Sequence, residues 1–368
     1  MAGSDFDGSH SEIPVIDFRP FLDGSDAERE TTAGRIKQAF RSVGFVYLTN
    51  HGVPHEKVDQ CFEWSKRFFN LPLETKMLAP HPPGGSHHRG YSGLGIEKVS
   101  QNVFDREAIA ELRKAPDVKE SYESGNINDE YQPNIWLPEN KLPGFREYVS
   151  HSAALQIAIF RDSARADGVA FFMESFFTDC STLVCHVLSA IALGFSLPST
   201  HFCHSHSRDL YQLRLLHYPA VPENLLLSGE KGRLGAHSDF GTLTLLFQDD
   251  VGGLEIEDQQ RPGIFQSVKP VKGAVLVNVA DCLMRWTNDE LKSAVHRVKA
   301  PPIELRDSGN KVDADRVTKA RYSIPFFAGA NPDAVVEALP GTWSETKPKK
   351  YEPITAGEYI LKRMEAIY

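Results

Sequence analysis

In the stretch Arg233-Leu-Gly-Ala-His-Ser-Asp-Phe-Gly-Thr-Leu-Thr-Leu-Leu-Phe247, an imidazole, His237, stands two residues before a carboxylate, Asp239. The residues that follow are β-rich and alternate, which predicts a strand. On a strand, residues i and i+2 share a face, so His237 and Asp239 would stand side by side with Ser238 turned away. One further imidazole would complete a two-His, one-carboxylate set. Such a set grips a ferrous ion from one side and leaves the other positions open. The pair alone carries little weight, because 14 His in the chain give about one His-x-Asp by chance at ordinary Asp usage.

The weight lies downstream. His296 sits in Trp286-Thr-Asn-Asp-Glu-Leu-Lys-Ser-Ala-Val-His-Arg-Val298, and a second β-like run, Arg321-Tyr-Ser-Ile-Pro-Phe-Phe327, begins soon after. There Arg321 and Ser323 again share a face. An arginine fork beside a hydroxyl is a receptor for the far carboxylate of a dicarboxylic acid. A metal triad next to a carboxylate clamp suggests 2-oxoglutarate bound to Fe(II). A zinc hydrolase would accept the same three ligands but would need a nearby general base and has no use for the clamp.

With these residues in view, the chain resembles the isopenicillin N synthase-like 2-oxoglutarate/Fe(II)-dependent oxygenases. The resemblance rests on Ile13-Pro-Val-Ile-Asp-Phe18, Gly44-Phe-Val-Tyr-Leu-Thr-Asn-His-Gly-Val53, Lys119-Glu-Ser-Tyr122, Leu213-Arg-Leu-Leu-His-Tyr-Pro219 and Gly273-Ala-Val-Leu-Val-Asn-Val-Ala-Asp281. It covers nearly the whole chain. Leu213–Pro219 and the ending Leu339-Pro-Gly-Thr-Trp…Lys350-Tyr-Glu-Pro-Ile-Thr-Ala-Gly-Glu-Tyr359 are most similar to a fungal branch that includes thymine dioxygenases.

The resemblance implies a mixed α/β (α+β) chain: a double-stranded β-helix (jelly roll) core flanked by helices. It implies iron at His237, Asp239 and His296, and 2-oxoglutarate at Arg321, Ser323 and Tyr218, with O2 as the oxidant. The products expected are succinate, CO2 and a hydroxylated, desaturated or rearranged small molecule. Related oxidases use O2 without 2-oxoglutarate and keep the Arg-x-Ser, and a non-catalytic metal-containing protein could keep the fold; both readings stay open here. Leu216 stands where the family has Asn and His217 where it has Tyr, so one polar contact to the co-substrate is missing. Ala280 stands for a Gly. Substrate candidates are Arg89 and Tyr91, in a region near the substrate mouth of relatives, with Arg214, Phe240 and either Phe326 or Phe327.

The elements that must position these residues read as follows. Residues 1–150 form an α-rich N-terminal region and 151–368 a helix-supported catalytic core. Ile13–Phe18 alternates as a strand. Ser25 or Asp26 caps a helix to about Val43, which Gly44 ends, and a strand follows over Phe45–Leu48. Pro54 suits the first turn of the next helix. Residues 81–103 read as a glycine-rich loop in which His87 and His88 are exposed. Asp167–Leu193 reads as a long apolar helix, buried as a central support, with His186 a core or boundary residue. His201, His204 and His206 are packing or surface residues. Strands and turns then alternate from Tyr211 to Phe327, broken by a charged surface loop over 301–317. A closing helix runs from Thr355 to Ile367 with Ile360, Leu361, Met364 and Ile367 facing in.

The whole chain narrows the partners. A net charge of −9 over 368 residues argues against a nucleic-acid partner, which calls for a basic stripe. The polar, acidic start is unlike a signal peptide, and no run reads as membrane-spanning. Five Cys without a Cys-x-x-Cys point to reduced thiols and a cytoplasmic setting. The expected partner is a small-molecule substrate; oligomeric state leaves no trace in the sequence.

Overall fold

The computed structural model describes residues 12–83, 87–97, 116–146, 172–300 and 316–364. Fourteen strands form three sheets among them. The largest has eight strands in the order β1 (Val15–Asp17), β2 (Phe45–Thr49), β10 (Val275–Val279), β7 (Leu243–Gln248), β12 (Arg321–Ala328), β5 (Gln212–Tyr218), β4 (Glu120–Gly125) and β3 (Gly90–Ser92). Only the β1–β2 pair is parallel. A second sheet has the order β6 (Leu234–His237), β11 (His296–Val298), β8 (Leu254–Glu257) and β9 (Phe265–Ser267). A short ribbon pairs β13 (Val335–Val336) with β14 (Ile354–Thr355). The helices are α1 (Arg19–Asp23), α2 (Asp26–Ser42), α3 (His55–Phe69), α4 (Leu73–Lys76), α5 (Phe172–Gly194), α6 (Glu223–Leu227), α7 (Asp281–Trp286) and α8 (Ala356–Met364).

Strand alternation gives the large sheet two different faces. On β12, Ile324, Phe326 and Ala328 enter the main core, while Arg321, Ser323, Pro325 and Phe327 face a cavity on the other side. On β5, Leu213 and Leu215 enter the core, and Arg214, Leu216 and Tyr218 face the cavity. The period of two therefore separates packing from chemistry along one chain. The main core is closed by α5, whose Phe176 meets Phe247 at 5.6 Å and Phe177 meets Phe326 at 5.0 Å between ring centroids. Truncating Phe176 to Ala would cost about 3–5 kcal/mol. The four-stranded sheet covers the cavity and forms a smaller core of Leu254, Ile256 and Val298 with Phe45 and Leu276.

Local signals account for both ends of α2. Glu28 accepts a hydrogen bond from the backbone N–H of Ser25 at 2.8 Å, the return arm of a capping box at the start of α2. Gly44 follows α2 at φ +82°, and a Cβ there would stand 2.3 Å from the carbonyl of Lys292, so the turn into β2 requires glycine.

Several expectations need correcting. Pro54 is the N-cap of α3, and the helix starts at His55. The 81–103 segment is not all loop: β3 lies inside it, because Gly90–Ser92 finds an edge partner in β4. His87 and His88 are half-buried and His186 is exposed. Leu361 is exposed rather than facing in, because the described part of α8 turns that side outward. α5 is described from Phe172, and it is long and apolar enough to cross a membrane, contrary to the reading that no such run exists; 61% of its apolar window is buried inside the protein. Most of the 301–317 loop and the end of the closing helix lie outside the described residues.

Candidate metal and co-substrate site

His237 and His296 face each other across an antiparallel pair, in register on β6 and β11. Their ring centroids are 4.3 Å apart. Asp239 does not lie on the expected strand. β6 ends at His237, and residues 238–242 form a turn before β7. That turn is held from behind, where the N–H groups of Asp281 and Cys282 at the start of α7 donate to the carbonyls of Asp239 and Gly241, both at 2.9 Å. The turn carries Asp239 inward, so Oδ1 lies 3.9 Å from Nε2 of His237 and 3.8 Å from Nε2 of His296.

Each member of the trio is fixed from its far side. Nδ1 of His237 donates to the carbonyl of Gly235 at 2.9 Å, and Nδ1 of His296 to that of Ala294 at 3.2 Å. With Nδ1 carrying the proton, Nε2 of each ring presents a lone pair to the cavity. Oδ2 of Asp239 accepts from Thr244 at 2.6 Å and Asn278 at 2.8 Å, which leaves Oδ1 for the site. Burial, then the neighbouring His296, push the His237 imidazolium down to about 3. Burial would raise Asp239, but His296, His237 and the two hydrogen bonds outweigh it and hold the carboxyl below its ordinary value. Neutral imidazole and ionised carboxylate are the forms a divalent metal needs, so this donor set fits iron.

The cavity runs from the trio to Arg321, 1% exposed. Its guanidinium lies 5.1 Å from the ring centroid of Tyr218, donates to Ser323 at 3.1 Å and to Gln248 at 3.4 Å. Leu216 lines the wall between. Tyr218, Ser323 and Arg321 thus share one end of the cavity. His217 points to the opposite face, stacked on Tyr322 at 4.6 Å and bonded to Glu120 at 2.8 Å.

The substrate candidates separate. Arg214 and Phe327 line the cavity, with the Arg214 guanidinium 5.6 Å over the Phe327 ring. Arg89, Tyr91, Phe240 and Phe326 do not line it. Arg89 is buried in an ion pair with Asp129 at 2.8 Å, and the Tyr91 hydroxyl donates to Glu120 at 2.6 Å, because both belong to the sheet edge at β3. Phe240 packs under Arg363 of α8 at 4.7 Å. Phe326 is on the core face of β12 against Phe177 and Tyr211.

Sequence reasoning missed a buried ion cluster on this wall. Lys119 and Arg214 both line the cavity. Lys119 pairs with Glu97, and Arg214 pairs with Glu97 at 3.3 Å and Glu123 at 2.7 Å. Burial would raise Glu97, but Arg214 and Lys119 hold it well below the carboxylate range. Gln248, Thr244 and Asn278 were also missed as site residues, although Thr244 and Asn278 lay in quoted stretches. A second group of possible ligands, His81, His88 and Glu123, shares its carboxylate with Arg214 and Gln212.

A jelly roll that presents two imidazoles and one carboxylate around an open flank defines a mononuclear non-haem metalloenzyme centre. Comparison with known proteins gives the family. Residues 210–330 match the 2OG-Fe(II) oxygenase superfamily, and residues 13–139 match the N-terminal region of a non-haem dioxygenase in morphine synthesis. The chain is 41% identical to a 2-oxoglutarate-dependent dioxygenase of Dothideomycetidae sp. (strain 11243), over 97% of each chain. It is 39% identical to a proline hydroxylase of Petromyces alliaceus, over 97% of this chain and 100% of that one. Among solved structures, the Neurospora crassa thymine-7-hydroxylase in complex with alpha-KG and thymine superposes with a TM-score of 0.78 at 36% identity, over 96% of each chain. The chain belongs to the 2OG-Fe(II) oxygenase superfamily and is a 2-oxoglutarate-dependent dioxygenase, using Fe(II), 2-oxoglutarate and O2.

Proposed function

We propose that Nε2 of His237, Nε2 of His296 and Oδ1 of Asp239 hold the iron, and that Arg321, Ser323 and Tyr218 hold the distal carboxylate of 2-oxoglutarate. The observation that carries this reading is the convergence of three pre-oriented donor atoms on a cavity whose other end is a buried arginine. The bound iron, with 2-oxoglutarate and O2, supplies the oxidation of a substrate C–H bond as the co-substrate becomes succinate and CO2. The residues of the chain do the positioning. The carbonyls of Gly235 and Ala294 set the imidazole tautomers, and Thr244 and Asn278 fix the Asp239 carboxylate. Leu216, Leu246 and Pro325 keep the cavity wall apolar.

The substrate in this reading is a small molecule at the remaining flank, with its flat or apolar body on Phe327 and a polar edge toward Arg214 and Lys119. The relatives named above support a small metabolite: one is called a proline hydroxylase and another was solved with thymine. A secondary metabolite or a pyrimidine base both suit such a pocket. Buried free thiols at Cys61, Cys180 and Cys282 support a reducing, cytoplasmic setting.

The test is succinate release by the Fe(II)-loaded protein, measured with thymine, other pyrimidines, free proline and an extract of fungal metabolites. Thymine that gains one oxygen atom would establish the pyrimidine reading. Silence with every pyrimidine and turnover of proline or a larger metabolite would remove it. Oxidation of any substrate without 2-oxoglutarate would overturn the co-substrate assignment.

A further inference from the structure

Arg233 opens the stretch that leads to His237, and it is 2% exposed. Its Nη2 donates to the carbonyl of Lys319 at 2.9 Å and to Thr318 at 3.3 Å. Its Nε and Nη1 have no hydrogen-bond partner, nor does Nε of Arg321. Both guanidiniums lie against one ring, that of Tyr218, at 5.8 Å for Arg233 and 5.1 Å for Arg321. Among the described residues, no carboxylate stands within ion-pair distance of either one. Burial, then the charge of Arg321, lower the Arg233 pKa to about 10, so it stays charged at neutral pH. Among the described residues, Asp249 is a carboxylate that acts on both, itself pushed up by burial and bonded to the N–H groups of Tyr322 and Val251.

The charges at this end of the cavity therefore do not balance. Two buried cations face one carboxylate, and buried charge is tolerated only when it is compensated. A second carboxylate arriving beside Arg321 would bring the sum to zero and give the repelling guanidiniums a shared counter-ion. We propose that Arg233 is a positioning residue for the co-substrate: it makes the Arg321 end doubly cationic and thereby selects a 2-oxo acid with an ionised distal carboxylate over one without it. This rests on the assignment of Arg321 as the co-substrate anchor. Arg233 acts through space and through the Tyr218 ring, without joining the direct clamp.

The test compares wild type, Arg233→Gln, Arg233→Lys and Arg321→Ala, each loaded anaerobically with Fe(II). Calorimetry reads the affinity for 2-oxoglutarate and for 2-oxopentanoate, which replaces the distal carboxylate by a methyl group. Arg233→Gln should weaken 2-oxoglutarate by on the order of 10-fold, as a through-space charge in a partly dry site implies. It should leave 2-oxopentanoate within about twofold, since that ligand lacks the charge that Arg233 reads. In turnover, KM for 2-oxoglutarate should rise with kcat little changed, and Arg233→Lys should recover most of the loss. Equal weakening of both ligands would make Arg233 a structural residue and overturn the proposal, as would an unchanged 2-oxoglutarate affinity in Arg233→Gln alongside a large loss in Arg321→Ala. An unchanged affinity in Arg321→Ala would instead remove the anchor assignment beneath it. If Arg233→Gln does not fold, the Lys variant decides: it should keep near-native 2-oxoglutarate affinity, and a loss equal for both ligands would contradict the proposal.

Discussion

Two buried clusters of charge border the same cavity, and they differ in one respect. On the β4–β5 wall, Lys119 and Arg214 are matched by Glu97 and Glu123 through direct ion pairs. At the far end, Arg233 and Arg321 share the influence of Asp249 and have no direct ion pair among the described residues. The first cluster is complete without a ligand and serves as a stiff polar wall whose cations stay in place. The second is complete only with an anion. Buried ion pairs add little net stability over apolar packing, but breaking one is costly, so the two clusters should respond to mutation in opposite ways.

The largest effect should come from the metal trio between them. Asp239→Ala should abolish stoichiometric iron binding and lower substrate-dependent succinate release by more than ~100-fold, since even outer-shell partners of a metal ligand typically contribute 10–100-fold. Metal content and turnover check this, with circular dichroism confirming the fold. Glu97→Gln should break the balanced cluster and destabilise the protein by about 3–5 kcal/mol in urea unfolding. Arg233→Gln, which removes a buried cation without a direct ion pair, should leave stability unchanged or raise it. Equal losses for the two variants would erase the contrast between the clusters.

Arg321→Ala should weaken 2-oxoglutarate by about 2–5 kcal/mol. Arg321→Lys should do nearly as badly, because an ammonium does not reproduce the planar fork. A Lys variant that binds like wild type would mean that charge alone, without fork geometry, holds the ligand.

A smaller effect concerns pH. His206 is buried, bonded to the carbonyl of Phe202 and to Thr242, and burial lowers its pKa to about 4. A histidine depressed in the folded state contributes stability that is fully present above its unfolded pKa of about 6.5 and is lost as pH falls toward the folded value. Unfolding free energy should therefore drop by roughly 2–3 kcal/mol between pH 6.5 and 4 on this account. His206→Gln should flatten that part of the profile, and an unaltered slope would assign it to other groups, His51 first, whose pKa burial also lowers to about 4.

Much of this was readable from residue order, though not always for the right reason. Arg321 and Ser323 share a face because β12 is a strand, as alternation requires. The same parity groups Arg214 with Leu216 and Tyr218, and it could have separated Phe327, on the cavity side, from Phe326, on the core side. His237 and Asp239 converge through a turn that α7 holds from behind, so strand spacing was the wrong explanation for them. Asn278, Gln248, Glu97 and Glu123 escaped notice because their partners are set by sheet order, which brings distant segments together, whereas Thr244 bonds Asp239 from within the same stretch. Arg233 heads the stretch that carries His237, yet it gains meaning only beside Arg321. Arg89 and Tyr91 were carried by likeness to relatives alone, and their local partners at the sheet edge, Asp129 and Glu120, occupy them.

The central claim is that one open metal flank and one carboxylate-seeking end cooperate in a single reaction. It is tested most directly by anaerobic titration of the Fe(II)-loaded protein with 2-oxoglutarate, followed by admission of O2 with a turning-over substrate. The account predicts a weak visible charge-transfer band that saturates at one equivalent in wild type and is absent in Asp239→Ala, then one succinate per oxidised substrate. Substrate oxidation at full rate without 2-oxoglutarate, or a band that survives in Asp239→Ala, would contradict it.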